Sequence, residues 1–462
     1  MEIQGLRRRP RRLMLVPCAM QGHINPMIQL GTILHSKGCF SSITVAHTQL
    51  NSPSDHTSSH PYFIFQPLLS SDDSSLSSGT DFIDQLSNLN SNCEAPLQEL
   101  LIQIVKNLEQ HEDLPCVIYD PLMYYVKSVA DHLKLPSIMF RTSCVTNMLS
   151  WYVCPRIKKQ GYTPFRDFKS LELVPGLDPL RFKDLPILPS IFENLDAYLQ
   201  LVTSVQNIGT SSAIIFNSMD CLEQSSLARL QQECQIPIFA IGPMHKLAPE
   251  ATSISLHEED RSCITWLDKQ ATNSVIYVSL GSIASVNEKE IAEMAWGLAN
   301  SNQPFLWVIR PGLVCGSESK DPLFLPDDFK QTVGERGCIV KWAPQKQVLA
   351  HKAVGGFWSH CGWNSTVESI SVGVPVICKP FFGDQQINTR YISHVWRVGI
   401  ELENDFERED VERAIRRLMV ENEGEEMRQR AADLKLKTEF CIQKGSSSYN
   451  SLNDLVELIK SV

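Results

Sequence analysis

The chain has 462 residues, 43% of them hydrophobic, and a formal net charge of −10. That length predicts two or three domains with cores of their own. The acidic balance excludes bulk attraction to nucleic acid, so an anionic ligand has to be held by local donors.

The fourteen cysteines are scattered without a CxxC pair. Several, including Cys18, Cys116 and Cys378, sit in apolar strand-like runs, as small buried thiols do in a reducing compartment. The basic start MEIQGLRRRPRR is followed by an apolar run that Pro17 interrupts, so no signal-peptide core forms. No run of ~18 apolar residues follows, and no membrane span is expected. A cytoplasmic protein, monomeric by default, is the expectation.

Leu13–Cys18 reads as a buried strand and 20–26 (MQGHINP) as the loop after it. Asn25 suits a helix cap and Pro26 the first helical position. Met27, Leu30, Ile33 and Leu34 give that helix an apolar face, and Gly38 ends it. Ile43–Ala46 is the next strand, so the order announces a doubly wound sheet with His23 at the carboxyl end of its first strand. Residues 51–92 are rich in Ser, Asn and Asp and read as a loop holding a short strand at Phe63–Phe65. Leu97–Leu108 is an amphipathic helix. Cys116–Tyr119 is a strand ending at Asp120-Pro121, and Pro136–Phe140 is a strand ending at Arg141-Thr142-Ser143. Residues 144–210 are helical and loop-like, and Ala213–Asn217 and Pro237–Ile241 close the first domain.

Residues 243–261 lack periodicity and read as a linker. Val275–Leu280 opens a second sheet with Gly281-Ser282 in its turn, and Asn287 with Glu290 caps the next helix. Phe305–Ile309 and Cys338–Val340 are strands. Glu409–Val420 and roughly Ser448–Ile459 are helices. The expected domains are 1–242, 262–439, and a terminal helix within 440–462.

The densest information lies in 342–385, WAPQKQVLAHKAVGGFWSHCGWNSTVESISVGVPVICKPFFGDQ. Val354, Phe357 and Trp358 lead as a strand into His360, Cys361 and Gly362. Asn364 or Ser365 can cap the helix that follows, and Ser365 with Glu368 has capping-box spacing. The positive end of that helix then lies beside His360, which suits a diphosphate. A second strand, Val374–Cys378, brings Asp384 and Gln385 to a strand's carboxyl end, where they can meet sugar hydroxyls.

This segment resembles the signature box of plant UDP-dependent glycosyltransferases of secondary metabolism. Trp342, Ala343, Pro344, Gln345, His360, Cys361, Gly362, Trp363, Asn364, Ser365, Glu368, Pro375, Asp384 and Gln385 match it without a gap. The resemblance implies an α/β, GT-B fold of two facing Rossmann-like domains with parallel sheets and a deep cleft between them. It also implies that the final helix returns to the first domain.

Glycosyl transfer needs a base, a stabilised leaving group and an exposed anomeric carbon. His23 is the candidate base, because imidazole titrates near neutrality. Asp120, at the end of another strand of the same sheet, can accept its far N–H. The plainer role for Asp120 is a helix cap before Pro121. In the resembling enzymes the matching histidine and aspartate are base and partner. For the diphosphate, His360, the Gly362–Ser365 helix start and Ser282 are expected. Trp342 offers a face to uracil, Ala343 and Gln345 meet the base or ribose edge, and Glu368 accepts ribose hydroxyls unless the capping box consumes it. Trp363, Asn364, Asp384 and Gln385 read the sugar, with Thr142 from the first domain. Gln385, rather than a histidine at the box's last position, favours UDP-glucose by resemblance.

No Asp-x-Asp pair occurs, so no metal is expected. No covalent nucleophile is evident, and single displacement with inversion is the economical mechanism. The partners expected are a UDP-sugar and a small acceptor. A nicotinamide oxidoreductase would want G-x-G-x-x-G where Met20-Gln21-Gly22-His23 stands. A non-catalytic UDP-sugar-binding protein would keep the box and could lose His23 or Asp120.

Overall fold

The computed structural model describes residues 11–48, 61–69, 82–107, 113–159, 170–186, 195–207, 210–248, 258–315, 325–326, 328–402 and 406–461. These divide into two compact units. The first holds residues to Trp151, Pro189–Leu256 and Cys441–Val462; the second holds Tyr152–Leu188 and His257–Phe440.

In the first unit seven strands form one sheet in the order β3-β2-β1-β4-β5-β6-β7. They are β1 (Arg11–Val16), β2 (Ser42–His47), β3 (Phe63–Pro67), β4 (Asp113–Tyr119), β5 (Ser137–Arg141), β6 (Ala213–Phe216) and β7 (Ile238–Ala240). Every pairing is parallel. Side chains alternate between two cores. Leu13, Leu15, Ile43 and Val45 meet the Gln21–Ser36 helix, while Met14, Val16, Val117 and Tyr119 meet the Phe82–Lys106 helix. Both faces are covered, which is why these strands read as unbroken apolar runs. The Ser447–Ser461 helix buries Leu452, Leu455, Val456 and Ile459 in the first of these cores.

Six parallel strands build the second unit's sheet in the order β10-β9-β8-β11-β12-β13. They are β8 (Val275–Ser279), β9 (Phe305–Val308), β10 (Gly337–Val340), β11 (Val354–Ser359), β12 (Val376–Cys378) and β13 (Gly399–Glu401). Asn287 and Glu290 form the expected capping box at the Glu288–Asn300 helix.

Several boundaries differ from the sequence reading. The first helix starts at Gln21, which places Asn25 and Pro26 inside it and His23 in its first turn. The helix expected from Leu97 begins at Phe82, and its apolar face continues through Ile83, Leu86 and Leu89. Most of the expected loop in 51–92 lies outside the described residues. The described residues of 152–186 belong to the second unit rather than the first. At 243–248, assigned to the linker, Met244–Leu247 is a helical turn, and Met244 and Ala248 are buried in the first unit's core.

Each sheet turns back on itself at one place. β1 pairs with both β2 and β4, and β8 with both β9 and β11. Chains leave in opposite directions at such a switch, opening a crevice at the strands' carboxyl ends. His23 and Asp120 follow β1 and β4. Gly281-Ser282 and His360 follow β8 and β11.

Candidate active site

In the first unit the loops after β1, β4 and β5 converge. His23 Nδ1 lies 2.6 Å from Asp120 Oδ2 and 3.0 Å from Thr142 Oγ1. The Asp120 side chain is fully buried, whereas the His23 side chain keeps 24% exposure. An ionised carboxylate only accepts, so Nδ1 carries the proton and Nε2 presents its lone pair. The two roles weighed for Asp120 divide between its oxygens, since Oδ1 accepts the Leu122 N–H at 2.9 Å. Thr142, expected to read sugar, has its hydroxyl on the imidazole.

Glu223 escaped the sequence reading. It is buried, and its carboxylate accepts from Val145 N–H (2.9 Å), Thr146 N–H (3.0 Å), Thr146 Oγ1 (2.8 Å) and Ser218 Oγ (2.7 Å). Burial pushes its pKa up against these donors. It thus caps the Val145–Lys159 helix, three residues beyond Thr142, from a site of non-helical backbone within Asp220–Glu233. A lone Glu amid polar helix residues gave no signal of this.

In the second unit the turn His360-Cys361-Gly362 joins β11 to the Trp363–Val372 helix. Gly362 is the N-cap and has no side chain to cap the helix. Ser365 is therefore inside the first turn, not a cap, and the expected Ser365–Glu368 capping box does not form. The positive end of the helix suits an anion. His360 sits between two glycines: a Cβ on Gly281 would lie 2.6 Å from its ring and one on Gly362 2.5 Å away. Burial lowers the His360 pKa to about 4, with the backbone of Ser279 acting in the opposite direction and Arg310 in the same one. The ring is neutral at pH 7 and can donate one N–H to a phosphate oxygen.

The turn is held open by its neighbours. Cys361 adopts φ 62°, a left-handed backbone that costs a non-glycine residue. Ser359 Oγ accepts its N–H at 3.0 Å, and Asn388 Nδ2 donates to its carbonyl at 2.9 Å. Arg310 is buried and donates to the carbonyls of Gly281 (3.0 Å) and Ala284, bracing the turn that holds Ser282. A charged residue closing the apolar run Phe305–Ile309 was the signal for Arg310.

Trp342 is partly exposed and Ala343 buried, just before the Gln345–Ala350 helix. Gln345 Nε2 donates to Ser365 Oγ (3.0 Å) and Glu368 Oε2 (2.8 Å), and its Oε1 accepts from Tyr277 OH at 3.3 Å. Glu368 is thus spared the capping role; burial raises its pKa against the Gln345 bond. Gln385 is buried, and its Oε1 accepts from Phe381 N–H (2.8 Å) and Phe382 N–H (3.2 Å). Its amide nitrogen is left to donate. Trp363 is buried, while Asn364 and Asp384 are partly exposed.

A family model for UDP-glucoronosyl and UDP-glucosyl transferase matches residues 239–430. UDP-glycosyltransferase 76E1 of Solanum lycopersicum is 47% identical over 460 residues, covering 98% of this chain and 93% of the relative. The chain belongs to the plant UDP-glycosyltransferase family. Flavonol 3-O-glucosyltransferase UGT76E12 of Arabidopsis thaliana is 46% identical, with 100% of both chains covered. Among solved structures, Phytolacca americana UGT2 complexed with UDP-2fluoro-glucose and pterostilbene superposes with a TM-score of 0.83 at 25% identity. That match covers 99% of this chain and 100% of the other. Os79 from O. sativa in complex with UDP gives a TM-score of 0.81 at 27% identity, covering 97% and 100%. The enzyme therefore has the α/β GT-B fold and transfers glycosyl groups from a UDP-sugar to small metabolites. No described helix is long and apolar enough to cross a membrane.

Proposed function

We propose that the enzyme moves glucose from UDP-glucose to a hydroxyl of a small lipophilic plant metabolite, with inversion. The acceptor class is phenolic, flavonoid, terpenoid or one of their glycosides. The observation that carries this reading is the His23–Asp120 contact at 2.6 Å, which orients the imidazole and commits its Nδ1.

His23 Nε2 takes the acceptor proton as the oxygen attacks the anomeric carbon. Asp120 stabilises the imidazolium that forms, and Thr142 helps to fix the ring. On the far side of the sugar the bond to the diphosphate breaks. His360, Ser282 and the N–H groups at the start of the Trp363–Val372 helix take up the negative charge. Trp342, Ala343, Gln345 and Glu368 hold the uridine, and Trp363, Asn364, Asp384 and Gln385 hold the sugar. These donors replace a metal, so transfer proceeds in EDTA. The enzyme acts as a cytoplasmic monomer whose first domain serves the acceptor and whose second serves the nucleotide sugar.

A named relative is a flavonol 3-O-glucosyltransferase, which supports a phenolic acceptor. A protein that only binds UDP-sugar would have no use for the His23–Asp120 couple. The deciding experiment incubates the protein with UDP-glucose and a mixed aglycone panel, reading glucosides by mass spectrometry. Wild type forms at least one β-glucoside. His23→Ala binds UDP but forms none; comparable turnover by that variant rejects the base assignment.

A further inference from the structure

The 170–186 segment stands some 200 residues before Asp384 and Gln385, yet belongs to the same unit. Its own apolar anchors are buried, notably Leu180 and Phe182. Its charged residues reach two places. Lys183 Nζ lies 2.9 Å from Glu401 Oε1, and Arg181 Nη2 lies 3.4 Å from Glu401 Oε2. Arg390 Nε donates to the Pro179 carbonyl at 3.0 Å and stands 3.7 Å from Asp184 Oδ2. Asp184, only 3% exposed, holds Arg181 through both oxygens at 2.8 and 2.9 Å.

The two places bracket one element. Glu401 pairs in register with Cys378, the last residue before the loop to Gln385. Arg390 is the last residue of the Gln385–Arg390 helix. The strap therefore grips the strand beside the start of 379–390 and the helix that ends it. These ion pairs are largely withdrawn from water, so removing one acid strands a buried cation and lets the gripped element shift.

We propose that this strap is a positioning device for the sugar-reading segment: Asp184 and Glu401 fix the Gln385–Arg390 helix and so set discrimination between UDP-sugars. The proposal rests on Gln385 donating to a sugar hydroxyl. Because Oε1 of Gln385 is held by the Phe381 and Phe382 amides, a shift of the helix re-aims its amide nitrogen, one of the groups proposed to read the sugar.

The test compares Asp184→Asn, Glu401→Gln and Gln385→Ala in the full chain. In both strap variants the KM for UDP-glucose rises about tenfold, and the preference in kcat/KM for UDP-glucose over UDP-galactose falls by a similar factor. UDP affinity and acceptor KM stay within about twofold, a split that general loss of folding would not produce. Hydrogen exchange in peptides covering 379–390 speeds up while that of the Trp363–Val372 helix does not. Unchanged donor KM and sugar preference overturn the proposal, and so does an equal loss of UDP affinity. If Gln385→Ala leaves the donor KM unchanged, the sugar assignment fails and the strap's role in selecting the sugar falls with it. Faster exchange in 379–390 would still identify the strap contacts themselves. Should Asp184→Asn fail to fold, Glu401→Gln tests the same grip from its other end.

Discussion

Asp120 divides its carboxylate between two partners, Oδ2 at 2.6 Å from His23 Nδ1 and Oδ1 at 2.9 Å from the Leu122 N–H. One contact orients an imidazole and the other fixes the orienting group to the backbone. Such a couple predicts separate costs for each member. His23→Ala should lower kcat by about 10³-fold or more with UDP affinity retained. Asp120→Asn should cost about 10²–10⁴ in kcat, because an amide can donate to Nδ1 and favours the wrong tautomer. Steady-state kinetics with UDP titration by calorimetry check both.

Glycines 281 and 362 leave room for the His360 ring, and Gly281 has φ 75° as well. Gly281→Ala and Gly362→Ala should each displace the ring. The expected result is a rise of about tenfold or more in the KM for the UDP-sugar with acceptor KM unchanged, and a stability loss of about 1–3 kcal/mol for Gly281→Ala. Kinetics and urea denaturation measure the two effects independently.

Gln385→Glu keeps an oxygen for the Phe381 and Phe382 amides but removes the donating nitrogen. The fold should survive while the KM for UDP-glucose rises about tenfold, the worth of a hydrogen bond whose partner is left unsatisfied. A native melting temperature with unchanged donor KM would remove Gln385 from the sugar site.

Acid should weaken the ligand-free protein over a defined window. Burial lowers the pKa values of His47 and His360 from 6.5 to about 4. The unfolded chain binds protons as pH falls through 6.5, and the folded chain holds off until about 4. The stability these neutral rings contribute is complete above pH 6.5 and is lost as pH falls to 4. Each accounts for up to about 3 kcal/mol across that window, less for the partly exposed His360. Denaturant midpoints between pH 7.5 and 4.5 should fall, and a His47→Asn, His360→Asn variant should show a flatter slope.

Glu223→Ala removes the acceptor of four donors, three of them at the start of the Val145–Lys159 helix and the fourth the Ser218 hydroxyl. About 2–4 kcal/mol of stability should go, with kcat falling further because Thr142 precedes that helix. Denaturation and kinetics of the variant provide the check.

Much of this enzyme was legible in its residue order. Apolar strands covered on both faces wrote both parallel sheets as short uninterrupted runs, and the glycine and proline punctuation separated them. Dense matches in 342–385 carried the resemblance to UDP-sugar enzymes, since the turns and polar residues there are local to one stretch. His23 and Asp120 were readable as candidates because each follows a recognisable strand.

Sequence order could not show which contacts close over long separations. That Thr142 touches the imidazole, that Gln345 rather than a capping box takes Glu368, and that Glu223 caps a helix 78 residues away became visible only in the folded chain. The strap at 170–186 is the clearest case: within a stretch read only as helical and loop-like, folding sets its charges against Glu401 and Arg390. Local patterns record what the backbone does within a turn or two, whereas burial and strand order decide which distant charges lose their water and must find each other.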